Sequence, residues 1–307
     1  MNAAVEPSPQ DFADAAEELG LPSPELVEKD FWVVRVLSVI HALSNMHRTF
    51  VFGGGTSLCR AYRLIDRMSE DIDLRVIGPN DFSRADRRAI REEVDVALTV
   101  IGLTGEGYQK LSYDEYRKTE FNLPYALTMP TSGILRKQIK LELAFYPLQL
   151  ETQPQAVVSF LNQASGRPVE LEGFPCVALE ETAAEKFLAL LRRVGSWQQR
   201  PEGKQFDHTL IRHVYDLGCM LEHVDHAKVL ELIQSLIPGE AARYGRSHEE
   251  FAVNPITEMG RVLQSLHQQE YEQRFDQFQI AMVYGNRKEY GHCLETIEKI
   301  YSLLELR

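Results

Sequence analysis

Apolar residues recur along the first 175 positions with two periodicities, and these predict helices interleaved with short strands. Helical spacing, together with serine caps at Ser8 and Ser83 and a proline at position 24, predicts helices over about 9–19, 24–46, 56–63 and 83–102. Alternation of apolar and polar residues predicts strands over 49–52, 71–77, 121–129 and 138–146. This part of the chain is therefore expected to form a mixed sheet packed against helices.

From about residue 176 the pattern changes to helical periodicity almost throughout. It predicts helices over 180–194, 207–221, 226–237, 256–284 and 289–305, with a loop over 195–206 that contains glycine and proline. The expected fold class is an α/β (α+β) domain over residues 1–175, which includes the N-terminal helices, followed by a mainly α-helical domain over residues 176–307. The length of 307 residues agrees with two domains.

Composition narrows the class of protein. With 44% hydrophobic and 25% charged residues the chain is ordinary for a globular protein. Its four cysteines are scattered without a C-x-x-C pair, so we expect reduced thiols rather than a disulfide framework or a cysteine zinc site. No apolar run approaches the ~20 residues of a membrane span, and the acidic N-terminus lacks the pattern of a signal peptide. A cytoplasmic protein without membrane contact is expected.

Charge is unevenly distributed. The net charge of −12 argues against non-specific coating of nucleic acid. Residues 1–50 carry −5 and residues 201–307 carry −6, whereas residues 51–200 carry only −1 and contain many arginines. A locally basic centre is compatible with a bound polyanion, although solvated helix faces and strand edges explain the charge equally well.

The segment after the first predicted strand contains candidate chemistry. Gly53, Gly54 and Gly55 are followed by Thr56 and Ser57 at the start of a predicted helix. A strand, a glycine turn and a helix together present backbone N–H groups to phosphate, and the hydroxyls add further donors. A structural tight turn is the alternative interpretation.

Two carboxylates follow on the next strand. Asp71 and Asp73 are two residues apart, so their side chains point to the same face of the strand. Two neighbouring carboxylates repel each other unless a cation neutralises them, and Mg²⁺ or Mn²⁺ bound with nucleotide phosphates does so. In a later strand Lys140 and Glu142 also share a face, so Glu142 can serve as a third acid or form a cross-strand salt bridge.

The order of these motifs resembles the polymerase-β-like nucleotidyltransferase superfamily. More closely, the run GGTSLCRAY…RMSEDIDL, from Gly54 to Leu74, resembles the first motif of the AbiEii/AbiGii-type nucleotidyltransferase toxins, which include the MenT toxins of mycobacteria. Shorter runs follow in family order, namely 140–142 (KLE), 185–190 (EKFLAL) and 212–217 (RHVYDL). The resemblance covers most of residues 50–220 and implies that the α/β domain is nucleotidyltransferase-like.

The resemblance also implies roles for individual residues. It places Mg²⁺ or Mn²⁺ on Asp71 and Asp73 and gives catalytic roles to Lys186, Asp216 and Glu142, with Lys186 and Asp216 contributed by the helical domain. Nucleotide phosphates are expected on residues of the glycine turn and on nearby hydroxyls and lysines, namely Gly54, Gly55, Thr56, Ser57, Ser69, Lys140 and Lys186. From the residues alone, Asp216 lies among apolar neighbours and needs a partner, which can be Lys186, Arg212 or substrate.

The implied function is that of a metal-dependent toxin of a bacterial toxin–antitoxin or phage-defence system. It would transfer NMP from an NTP to an RNA acceptor, the tRNA 3′ end, release pyrophosphate, and be controlled by a cognate antitoxin. The first motif handles the nucleotide and not the acceptor, so a small molecule or a protein is the alternative acceptor. A catalytically silent nucleotide- or RNA-binding module is the third interpretation.

Overall fold

The computed structural model describes residues 6–131, 133, 135–199, 210–245 and 248–306. By its internal contacts the chain forms two compact units. The first unit consists of Met1–Arg63 with Met68–Val177, and the second consists of Leu64–Arg67 with Ala178–Arg307. The four-residue segment Leu64–Arg67 therefore belongs to the second unit, although the chain on either side of it belongs to the first.

A mixed sheet forms the centre of the first unit. Its strands are β1 (Thr49–Gly53), β2 (Asp71–Ile77), β3 (Gln109–Tyr113), β4 (Lys118–Pro124), β5 (Gln138–Ala144), β6 (Gln153–Val157) and β7 (Leu171–Cys176), in the order β3-β4-β5-β2-β1-β7-β6. β2 pairs antiparallel with β1 and parallel with β5. The described helices of this unit are α1 (Pro9–Glu18), α2 (Pro24–His41), α3 (Gly54–Arg60), α4 (Arg84–Val100) and α5 (Phe160–Ala164).

Alternation along the strands determines which face of the sheet is buried. In β2 and β5 every second residue is fully buried, and the residues between them are half-buried. The buried set contains Ile72, Leu74, Leu141 and Leu143, which join the apolar face of α2 in one core. The opposite face of these central strands is left to polar side chains, and the candidate site lies there.

The described helices of the second unit are α6 (Leu179–Gln198), α7 (Arg212–Met220), α8 (His226–Tyr244), α9 (Glu249–Val253), α10 (Pro255–Ser265), α11 (Gln269–Met282) and α12 (Tyr290–Glu305). No strand lies in the described residues of this unit. Among the described residues no helix has the length and apolarity needed to cross a membrane. All four cysteines are buried and free, as the sequence predicts.

The predicted fold class is confirmed, and β2 begins and ends at the predicted residues, whereas several other boundaries were wrong. α2 ends at His41 rather than near residue 46, because Asn45 and Arg48 exchange main-chain hydrogen bonds in a turn that leads into β1. α6 continues through 195–198, part of the predicted loop, because Gly195 packs closely against His248 and Val262. Residues 200–209, which contain the rest of that loop and the start of the helix predicted over 207–221, lie outside the described residues.

Two further helix predictions need correction. The single helix predicted over 256–284 is divided into α10 and α11, because the chain turns at residues 266–268. α8 continues beyond residue 237 to Tyr244 with Pro238 inside it, so the proline does not end this helix as the sequence suggested. Strands β3, β6 and β7 and helix α5 had no counterpart in the prediction.

Candidate functional site

Asp71 and Asp73 lie on the same half-buried face of β2, as their spacing predicts. The carboxylate of Asp71 accepts a hydrogen bond of 2.6 Å from Nη2 of Arg136, in the connection that precedes β5. The β2 residues between and after the two acids point into the core. The strand therefore presents two carboxylates on a face that ligands can reach.

The glycine turn before α3 lies directly against Asp73. Gly53 pairs with Asp73 in the β1–β2 register, and Gly54 has a φ of +71°, in the left-handed region that favours glycine. A Cβ on Gly54 would lie 1.9 Å from Oδ2 of Asp73, closer than any real contact allows. Glycine is thus required at position 54 both for the turn and for the position of the Asp73 carboxylate.

Hydroxyl groups connect the start of α3 to the segment before β2. The Thr56 hydroxyl lies 2.9 Å from Oγ of Ser69 and also hydrogen-bonds the main-chain carbonyl of Asp71. Ser57 is fully buried and donates to the carbonyl of Gly54 at 3.0 Å. Gly55 is half-buried within α3. These contacts bring the predicted nucleotide-binding residues Gly54, Thr56 and Ser69 to the edge of the carboxylate pair.

On β5 the predicted third acid lies beside the pair. Glu142 is in register with Asp73, and Lys140 is in register with Asp71. The Glu142 carboxylate forms an ion pair of 2.9 Å with Nζ of Lys118 on β4, while Nζ of Lys140 is 4.0 Å away. The cross-strand salt bridge that the sequence left as an alternative is therefore present, with a partner that sequence reasoning missed.

The Glu142 ion pair belongs to a network of salt bridges between neighbouring strands. Lys118 also pairs with Glu120 at 3.1 Å, and Lys140 pairs with Glu120 at 3.3 Å. Burial by itself would lower the pKa of Lys118, but hydrogen bonds to Glu142 and Glu120 raise it above its ordinary value. Lys118 is therefore firmly positively charged, and it holds Glu142 next to Asp73.

In the second unit, Asp216 is fully buried and forms ion pairs with two basic side chains. Arg67 donates to both of its oxygens, at 2.6 and 2.7 Å, and Nζ of Lys186 donates to Oδ2 at 2.8 Å. Burial would raise the pKa of Asp216, yet the charges of Arg67 and Lys186 hold it below its ordinary value. Burial lowers the pKa of Lys186, and the charge of Asp216 offsets this only in part.

This cluster shows which side chains are the partners of the buried Asp216 carboxylate. Among the described residues, Lys186, one of the alternatives that the sequence left open, and Arg67 donate hydrogen bonds to Asp216, and Arg212 does not. Arg67 stands in the first motif, but sequence reasoning gave it no role. Arg67 and Asp216 are 149 positions apart in the sequence, so no local pattern indicated the pair.

His213 is a buried imidazole next to this cluster. Neither of its ring nitrogens has a hydrogen-bond partner among the described residues. Burial, followed by the charges of Lys186 and Arg212, holds the pKa of His213 well below its ordinary value of 6.5. The imidazole is therefore neutral near pH 7.

The structure divides the predicted site residues between the two units. The first unit holds the glycine turn, the hydroxyls, Lys140 and the three acids of the sheet, and the second holds Lys186 and Asp216. Among the described residues, no group of three or more His, Cys, Asp or Glu side chains is arranged to bind a metal ion by itself. A pair of carboxylates is nevertheless enough for Mg²⁺, which completes its coordination with phosphate oxygens and water.

Comparisons with known proteins identify the family and the fold. The family model described as nucleotidyl transferase AbiEii toxin of type IV toxin–antitoxin systems matches residues 35–301. The fold is similar to that of MenT4, a nucleotidyltransferase toxin from Mycobacterium tuberculosis, with a TM-score of 0.53 at 16% identity over 95% of this chain and 98% of that one. No curated protein sequence gives a significant match.

Proposed function

The chain belongs to the AbiEii family of nucleotidyltransferase toxins of type IV toxin–antitoxin systems, and we propose that it transfers NMP from an NTP to the 3′ end of tRNA. As a member of this family it is an enzyme, a nucleotidyltransferase, and the family implies a cognate antitoxin. The proposal adds dependence on Mg²⁺ or Mn²⁺, an RNA acceptor, a cytoplasmic location and growth arrest as the outcome, in phage defence among other settings.

The observation that carries the proposal is the carboxylate face of β2 and β5. Asp71 and Asp73 share this face, Glu142 lies in register beside Asp73, and Gly54 leaves space for the Asp73 carboxylate. This donor set fits a divalent cation that is shared with nucleotide phosphates. When bound, the cation would neutralise charge on the phosphates and on the attacking oxygen.

The remaining roles fall to the residues of the chain. The reaction forms a bond between the acceptor hydroxyl oxygen and the α-phosphorus, and it breaks the bond from that phosphorus to the oxygen of the leaving pyrophosphate. The hydroxyl proton is released to solvent. The glycine turn and the hydroxyl of Ser69, to which the buried Thr56 hydroxyl is hydrogen-bonded, would orient the phosphates. Most of the rate enhancement would come from such positioning. Glu142, held by Lys118, is the third carboxylate of the proposed site.

The family resemblance assigns Lys186 to the nucleotide phosphates, and this assignment belongs to the proposal. An ammonium group has three N–H donors, and in the structure Lys186 uses one of them for Asp216. The other N–H groups donate no hydrogen bond to the residues that the structure describes and would bind phosphate oxygens. Asp216 would act through Lys186, because it is fully buried and has both oxygens engaged.

The test is a labelling assay with matched variants. The purified chain, Asp73→Asn and the surface control Asp14→Asn are each incubated with Mg²⁺, one α-³²P-labelled NTP at a time, and total tRNA. Label should appear on tRNA with the unaltered chain and with Asp14→Asn, and it should be absent with Asp73→Asn. Removal of the terminal nucleotides of the labelled tRNA should release the label if the 3′ end is the acceptor.

Other outcomes would redirect the proposal. Label on a protein or a small molecule from cell extract, with none on tRNA, would replace the RNA acceptor and keep the nucleotide site. If Asp73→Asn arrests growth as strongly as the unaltered chain does, binding rather than transfer causes toxicity, and the catalytic proposal fails.

A further inference from the structure

The connection between β4 and β5 is attached to α2 by two consecutive buried charged residues. Glu28 is fully buried, and its carboxylate accepts hydrogen bonds from N and Oγ1 of Thr128 at 2.7 and 2.6 Å and from N of Met129 at 3.3 Å. A buried carboxylate is costly unless hydrogen bonds compensate it, and here the donors come from the beginning of the connection. Glu28 therefore fixes the main chain at that end.

Lys29 fixes the other end of the same connection. Its side chain is only 3% exposed, and Nζ donates to the carbonyl of Arg136 at 2.6 Å and also to the carboxylate of Glu70. Glu70 in turn accepts a hydrogen bond of 2.7 Å from the main-chain N–H of Arg136. Both main-chain polar groups of Arg136 are thus held by buried or nearly buried charges.

The side chain of Arg136 is less tightly held than its main chain. It is 46% exposed, and Nη2 lies 2.6 Å from Oδ1 of Asp71, while Nε is 3.7 Å from Glu70. The fold thus fixes the Cα of this arginine while leaving its guanidinium partly in solvent. The positively charged guanidinium therefore lies next to Asp71, a candidate metal ligand, and part of the guanidinium still faces solvent.

We propose that Arg136 exchanges Asp71 for the phosphates of the nucleotide when a metal–NTP complex binds. This inference rests on the proposed function and adds to it a residue that recognises the triphosphate. Before the substrate binds, the guanidinium neutralises Asp71. When the carboxylate passes to the divalent cation, the guanidinium turns to the β- or γ-phosphate oxygens.

Two physical arguments support this exchange. A guanidinium and a divalent cation carry charge of the same sign, so they compete for Asp71 and are not held close together without an anion between them. A phosphate supplies that anion, and the planar fork of arginine matches its oxygens with two parallel hydrogen bonds. Because Lys29 and Glu70 hold the main chain, only side-chain torsions need to change.

The experiment measures binding, so it does not depend on turnover. Equilibrium dialysis with Mn²⁺ alone, and with Mn²⁺ plus each NTP or the corresponding NMP, compares the unaltered chain with Arg136→Ala and Arg136→Lys. Arg88→Ala is the matched control, because Arg88 is an exposed arginine on α4. Thermal unfolding of each variant verifies that it is folded.

The proposal predicts opposite changes in the affinity for metal and in the affinity for nucleotide. Arg136→Ala should bind Mn²⁺ alone several-fold more tightly, because a competing cation is gone. It should bind the NTP about ten-fold more weakly, as expected for the loss of a charge-assisted hydrogen bond, and NMP affinity should change less than two-fold. Arg136→Lys should be intermediate for the NTP, and Arg88→Ala should match the unaltered chain.

Two results would overturn the inference. If Arg136→Ala binds the NTP as tightly as the unaltered chain, the guanidinium does no more than neutralise Asp71. If its affinity for Mn²⁺ alone is unchanged, the guanidinium does not compete with the metal. An unaltered chain that binds neither Mn²⁺ nor any NTP would instead contradict the proposed function itself, so the two failures are distinguishable.

Discussion

Substitution of Gly54 by alanine tests whether the glycine turn positions Asp73. The new Cβ would lie 1.9 Å from Oδ2 and 2.7 Å from Cγ of Asp73, so the oxygen must move by at least 1.1 Å to reach the 3.0 Å that real contacts respect. The left-handed φ of +71° adds backbone strain of ~1–2 kcal/mol. Crowding a packed position adds ~1–3 kcal/mol, so we expect a loss of about 2–5 kcal/mol in the free energy of unfolding.

Gly20→Ala is the matched control, because Gly20 has a φ of +61° and no atom within 4 Å of a built Cβ. It should lose only the backbone part, ~1–2 kcal/mol in urea unfolding. The double variant Gly54→Ala with Asp73→Ala removes the contacts of 1.9 and 2.7 Å and keeps only the contact of 3.0 Å with Cβ of residue 73. Its additional loss over Asp73→Ala should therefore fall towards the value of the control.

The functional consequence of Gly54→Ala should be larger than its effect on stability. A displacement of about 1 Å in a catalytic group can reduce the rate ~100-fold. We therefore expect Mn²⁺ affinity and transfer of label to fall sharply in folded Gly54→Ala, while Gly20→Ala keeps both. The reasoning is refuted if Gly54→Ala and Gly20→Ala are equally stable, or if Gly54→Ala binds Mn²⁺ and transfers label normally.

Three other substitutions test the charged clusters. Asp216→Asn should lower the free energy of unfolding by about 3–5 kcal/mol in urea, because it leaves Arg67 and Lys186 buried without their anion; a loss as small as that of the exposed control Asp276→Asn would contradict this. His213→Phe should make stability less dependent on pH, since the lowered pKa of His213 means that the unfolded chain alone gains a proton as pH falls below 6.5. The unaltered chain should lose about 1 kcal/mol between pH 6.5 and 5.5 through this residue, and parallel stability curves for the two proteins would refute the assignment. Lys118→Met should raise the pKa of Glu120, because Lys118 is the main group that opposes the effect of burial on that carboxyl. NMR of the side-chain carboxyl would detect the change. An unchanged pKa would mean that Lys140 is the group that lowers it.

The sequence was sufficient to predict those structural features that a single short segment determines by itself. β2 alternates cleanly between buried and half-buried positions, so its boundaries and the shared face of Asp71 and Asp73 could be predicted. Ser8 and Ser83 cap α1 and α4 through hydrogen bonds to residues three positions later, which is also local information. Strands at the sides of the sheet gave no such pattern, since β3 is largely exposed and β7 contains Gly173 with a positive φ and Pro175.

The partners of the site residues could not be predicted, because they depend on register and on distant segments. Lys118 meets Glu142 only because β4 pairs antiparallel with β5. Arg136 meets Asp71 across 65 residues, and charge counting alone had placed it among many basic residues. Such pairs appear only when the sheet is assembled.

The first motif combines two kinds of residue that a sequence pattern cannot separate. Ser69, Asp71 and Asp73 are half-buried on the first unit, where a ligand can reach them. Arg67, two residues earlier, is 1% exposed and is engaged with Asp216 in the second unit. Loss of Asp73 should therefore abolish transfer in a stable protein, whereas loss of Arg67 should first destabilise the second unit, because a buried carboxylate loses its bidentate partner. Urea unfolding of Asp73→Ala and Arg67→Met, set beside their labelling of tRNA, separates these roles. Equal stability of the two variants would contradict the structural role of Arg67.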